Sequence, residues 1–68
     1  MNKPVIEYHS KGESGNIYWL LSAAQRALRK QRKISEYNNL RDGVLASQSY
    51  LEALSVMAEH IDLIDLDK

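Results

Sequence analysis

With no cysteine anywhere in the chain, its two histidines, His9 and His60, must anchor any zinc site. Structural zinc takes four ligands, usually at short local spacings such as Cys-x2-Cys or His-x3-His. Antiparallel pairing of the chain ends would bring His9 and His60 together, with Glu7 or Asp62 to help complete a set. The spacing pattern is missing, so the expectation is two solvent-exposed histidines and no metal. Asp62, Asp65 and Asp67 are calcium-type oxygen ligands, but no EF-hand loop surrounds them, and the apolar residues between them read as a strand. Gly12-Glu13-Ser14-Gly15-Asn16 precedes a helical pattern, where backbone N–H groups can hold an anion. The lysine-plus-hydroxyl ending of a phosphate-binding loop is absent, and a flexible connection is the simpler reading. Ser10, Ser14 and Ser22 form no nucleophile elbow, and neither histidine has an orienting partner visible in the sequence. The expectation is therefore no catalytic residue, no enzymatic activity and no cofactor.

Two features suit binding. Trp19 falls about 160° from the centre of the apolar face of its helix, beside Ala23, Arg26 and Lys30. A large aromatic on a basic face suits a protein contact or base stacking. The alternative is that Trp19 folds under the glycine loop or against another strand face. The run from Gln25 to Lys33 presents Arg26, Arg29, Lys30 and Lys33 as candidate phosphate contacts. Its period is also that of an ordinary amphipathic helix with solvated charges. Trp19, Arg26 and Lys30 are the candidate contacts for a protein partner.

These residues need elements to position them. Pro4-Val5-Ile6-Glu7-Tyr8 predicts a short strand, with proline at a tolerated first position. After the glycine loop, Ser14 or Asn16 caps a helix running to about Lys33. Ile17, Leu20, Leu21, Ala24 and Leu28 share one face of it at the i, i+3, i+4, i+7, i+11 spacing. Ser35 caps a shorter helix with Tyr37, Leu40 and Val44 in a stripe, weakened by Gly43 at a cost of ~1 kcal/mol. Ser49-Tyr50-Leu51-Glu52 is a capping box for a third helix, in which Tyr50, Ala53, Leu54 and Met57 share a face. Ile61 to Leu66 predicts a second strand.

The result is one α+β domain over residues 1–68, in the order β-α-α-α-β. Its two terminal strands form one sheet against three helices. An up-down alternation of three helices leads to a parallel pair, whereas base rates favour antiparallel pairs two- to three-fold; the antiparallel arrangement is the expectation. The predicted core is Val5, Ile17, Leu20, Leu21, Ala24, Leu28, Leu40, Leu54, Met57, Ile61 and Leu63.

Composition bounds what such a domain can do. Sixty-eight residues support a core worth ~3–5 kcal/mol, without disulfides to add to it. Apolar residues are 44% and charged residues 26%, which argues against disorder. No signal-peptide pattern or run long enough for a membrane span is present, so a cytoplasmic protein without membrane contact is expected. The net charge is zero, yet residues 1–33 hold seven Lys/Arg and two Glu, a net of +5. Residues 34–68 hold two Lys/Arg and seven Asp/Glu, a net of −5. Either the halves pack and neutralise each other, or the asymmetry marks a partner surface.

Gly15-Asn16-x-Tyr18-x-Leu20-Leu21, then Gln25-Arg26-Ala27-Leu28-Arg29-Lys30, Ser49-Tyr50-x-x-Ala53-Leu54 and Met57-x-Glu59 also form a pattern. It resembles small uncharacterised proteins of bacteriophages, prophages and related bacterial mobile elements, over about two-thirds of the chain. The departure is Arg32-Lys33, where that pattern has a small residue or glycine. The resemblance implies a bacterial or phage cytoplasmic protein and carries no catalytic residues. The expected function is a small module that binds another protein or itself, with an open sheet edge to accept a partner strand. The competing expectation is nucleic-acid binding through the basic helix face.

Overall fold

The apolar spacing of residues 17–28 sets the first helix, and everything else packs around it. A computed structural model describes residues 3–68. Strand β1 (Val5–Tyr8) leads through a single 3-10 turn, Glu13–Gly15, into helix α1 (Ile17–Lys30). Helices α2 (Ile34–Ala46) and α3 (Tyr50–Ala58) follow, and strand β2 (Asp62–Asp65) closes the sequence of elements. No helix among the described residues is long and apolar enough to cross a membrane.

The sheet corrects one expectation: β1 and β2 pair in parallel, not antiparallel, with Val5 opposite Asp62 and Tyr8 opposite Asp65. The base rate for antiparallel pairs includes strands joined by tight hairpins, which reverse the chain once. Here three helices joined by short loops lie between the strands, and each reverses the chain again. Three reversals after β1 and one more into β2 return the strand to its starting direction. Backbone bonds extend the ladder at both ends, Asp62 N–H to Pro4 O and Leu66 N–H to Tyr8 O, each 2.8 Å.

The core holds Ile6, Tyr8, Leu20, Leu21, Ala24, Leu28, Tyr37, Leu40, Val44, Ala53, Met57 and Ile61. Ile17, Leu54 and Leu63 are partly buried against it. Val5, expected inside, is 58% exposed. Side chains alternate across a strand, so burying Ile6 and Tyr8 turns Val5 and Glu7 outward. The β-branched pair Val5-Ile6 left that parity open, and the large ring of Tyr8 decides it by filling the core.

Helix ends follow local chemistry more closely. Asn16 caps α1, its Oδ1 accepting the Tyr18 N–H at 2.7 Å. Ser49 caps α3, its Oγ accepting the Glu52 N–H at 3.1 Å. The return bond expected from the Glu52 side chain is absent among the described residues. The first helix ends at Lys30, earlier than expected, because Arg32 takes a left-handed backbone (φ 59°). The Lys33 N–H then bonds Leu28 O at 2.8 Å and the Arg32 N–H bonds Arg29 O at 3.0 Å. That pair of bonds is a Schellman ending, in which glycine is the usual left-handed residue. Helix α2 then starts at Ile34 with Lys33 in the cap position, two residues ahead of the expected Ser35 cap.

Candidate functional site

Parallel pairing separates the candidates that antiparallel pairing would have joined. His9 follows the end of β1 and His60 precedes the start of β2, so the length of the sheet lies between them. Four strand residues at about 3.3 Å each set that gap. His9 Nδ1 lies 3.0 Å from Asp67 Oδ1, and His60 Nδ1 lies 3.2 Å from Glu36 Oε2. Among the described residues, no three His, Cys, Asp or Glu side chains are placed to share a metal ion.

The acidic tail and the glycine loop meet at the carboxyl ends of the two strands. Asp67 accepts from the Lys11 N–H at 2.9 Å as well as facing His9. Asp65 accepts the Asp67 N–H at 2.9 Å and the Ser10 N–H at 3.3 Å. The bond from His9 is the main reason the Asp67 carboxyl sits below the ordinary carboxylate range, and the Asp67 N–H plays that part for Asp65. Ser14 Oγ accepts the His9 N–H at 2.7 Å, so Ser14 braces the loop and leaves the α1 cap to Asn16. The Tyr50 hydroxyl donates to Gly15 O. Burial first, then the nearby Asp65 carboxylate, raises the hydroxyl pKa of both Tyr8 and Tyr50. These groups are engaged with one another, and their chemistry is that of a brace between the loop and the tail.

The basic and aromatic candidates lie elsewhere. Arg26, Arg29 and Lys30 are exposed, and Lys33 is half-buried. The ion pairs of the described residues are His9–Asp67, Arg41–Asp42 and His60–Glu36. None includes a lysine or arginine from the basic half, so its charge is not neutralised by contact with the acidic half. Trp19 keeps 39% of its surface exposed. One helical row runs from Trp19 through Ala23 and Arg26 to Lys30. Beside it, Val5, Ile6, Ala23, Arg26, Ala27 and Lys30 line a shallow depression of about 300 Å³. Its walls come from β1 and α1 alone, so it lies alongside the edge of β1 that β2 does not cover.

Sequence reasoning missed a second surface. A groove of about 370 Å³ runs between the start of α1, the end of α2 and the start of α3. Tyr18, 68% exposed, and Leu45, 61% exposed, stand on its rim with Tyr50. Both Tyr18 and Leu45 fall outside the apolar faces of their helices, which was the available signal. No charged side chain lines the groove. Comparison with family models, with curated proteins and with solved structures finds no match to this chain.

Proposed function

We propose that the chain is a small non-catalytic module that binds another protein through the surface shared by α1 and the free edge of β1. The observation that carries this reading is Trp19, a large aromatic left 39% exposed in a domain with few large side chains to spend. Exposed aromatics beside arginine are the residue types that anchor protein interfaces. The free edge of β1 offers backbone groups to a partner strand, so one partner can engage both. The resemblance to phage and mobile-element proteins supports reading the module as a bacterial cytoplasmic protein.

A second reading, nucleic-acid binding through Arg26, Arg29, Lys30 and Lys33, is favoured by one observation. Those cations have no acidic partner among the described residues. The two readings respond differently to salt. Phosphate contacts release counterions, so affinity falls by orders of magnitude between low and moderate salt. A complex held by Trp19 and strand pairing persists.

The test is capture of partners by the wild-type chain and by Trp19→Ala, with nuclease treatment and at two salt concentrations. Trp19→Ala is expected to stay folded, costing less than the ~3–5 kcal/mol of a truncated core aromatic. It should lose ~2 kcal/mol or more of binding. Trp19 emission should be that of a partly hydrated indole and shift to the blue on complex formation. Unfolding of the alanine variant, or complexes that vanish with nuclease, would reject the protein-binding reading.

A further inference from the structure

We infer that the free edge of β1 is a docking site for an acidic extended segment of a partner protein. This deepens the interaction-module reading and rests on it.

The first support is the hydrogen-bonding pattern. Pro4 O and Tyr8 O face β2, where they accept the N–H groups of Asp62 and Leu66. Backbone groups alternate sides along a strand, so those of Val5 and Glu7 point to the opposite, unpaired edge. Val5 is well exposed there. The second support is the surface beside that edge. The depression walled by Ala23, Arg26, Ala27 and Lys30 provides room for the inward side chains of an added strand. From Trp19 to Lys30 the helix rises about 16 Å. A strand of four to five residues covers about the same length. Arg26 and Lys30 are separated by a rise of about 6 Å, close to the roughly 6.6 Å between alternate residues of a strand.

Charge then selects the occupant. Arg26 and Lys30 have no acidic partner among the described residues. Asp65 and Asp67 are held by the loop and Glu36 by His60, and Glu7 on β1 makes no ion pair with either cation. A segment carrying carboxylates at alternate positions meets both cations while its backbone pairs with Val5 and Glu7. The β1 edge carries one carboxylate of its own, Glu7, beside the two cations, whereas β2 carries two, Asp62 and Asp65, and no cation within the strand, so the other edge is the poorer site.

The probe is a capped synthetic peptide alternating glutamate with valine, titrated into isotopically labelled protein, with the lysine-for-glutamate peptide as control. The Val5 and Glu7 amide resonances should shift and gain protection from solvent exchange. The double variant Arg26→Glu/Lys30→Glu changes two exposed side chains, so its circular dichroism should match wild type. Its affinity for the glutamate peptide should fall by about tenfold or more. Equal binding of the lysine peptide would overturn the inference. So would shifts clustered on Tyr18 and Leu45, or shifts that grow with protein concentration before peptide is added, the sign of pairing between copies. Displacement of the peptide from these residues by a single-stranded RNA oligonucleotide that binds more tightly would assign the surface to nucleic acid instead. Failure of the glutamate peptide beside a retained, Trp19-dependent protein complex rejects the acidic strand alone; loss of both rejects the module.

Discussion

Arg32 holds a left-handed backbone at φ 59°, a conformation that costs a residue with a Cβ about 1–2 kcal/mol. The Schellman bonds that end α1 compensate for it. Arg32→Gly should therefore stabilise the domain by about 1 kcal/mol, read as a rise in the midpoint of urea unfolding at unchanged slope. Asp67 makes a different prediction. Its carboxyl is held below the ordinary 3.8, first by the bond from His9 and then by the Lys11 N–H. A depressed folded value gives stability that is complete above the unfolded value and is lost as pH falls through the folded one. The Lys11 amide resonance should accordingly titrate with a midpoint below 3.8. Asp67→Asn should remove that titration and loosen the loop, because one amide oxygen cannot accept both bonds that the two carboxylate oxygens accept.

Between α2 and α3, Gly43 sets how closely the helices approach. A Cβ there would lie 2.7 Å from Val56 Cγ1. Valine has one strongly preferred side-chain position in a helix and yields little. Gly43→Ala gains ~1 kcal/mol of helix propensity. It meets an overpacking cost of roughly 1–3 kcal/mol. The net expectation is destabilisation in a thermal melt, and a larger loss without compensation than in the Gly43→Ala/Val56→Ala pair. The sequence reading of Gly43 as a weak point in its helix rests on propensity alone and is silent about this contact. Gly15 carries a comparable constraint at the loop, where a Cβ would lie 2.7 Å from Ser10 O and 2.9 Å from His9 O. Both neighbours are backbone, so Gly15→Ala must shift the loop that braces the acidic tail.

At the scale of the whole molecule, one small core supports every element. Leu20, Leu28, Leu40, Met57 and Ile61 are its largest fully buried side chains, contributed by all three helices and the entry to β2. Met57→Ala should cost about 2–5 kcal/mol. A domain worth ~3–5 kcal/mol in total then has little or no folded population left. Calorimetry should show the cooperative transition lost or moved far down. Leu51→Ala on the same helix is the control: Leu51 is 75% exposed, and its melting temperature should stay within about 4 °C of wild type. The unpaired basic half adds a second property at this scale. Its field extends about 10 Å at 0.1 M salt, so an acidic partner should associate faster at low salt.

Local rules were enough to read the number and order of elements, the α1 core face and the Ser49 cap, and they narrowed the α1 cap to Ser14 or Asn16. Each depends on residues within a few positions of one another: side-chain oxygens that reach a backbone N–H, or apolar groups at helical spacing. Strand direction was decided by tertiary structure, because the even parity of four chain reversals outweighs any preference in the strands themselves. The inward turn of Ile6 and Tyr8 was decided there too, since alternation fixes which residues share a face but not which face meets the core. The same holds for the candidate site. Trp19, Arg26 and Lys30 were legible as one helical row, but the free β1 edge beside them and the groove under Tyr18 and Leu45 exist only between elements. Sequence spacing registers neighbours along one element, whereas a surface built from several depends on how the core packs them.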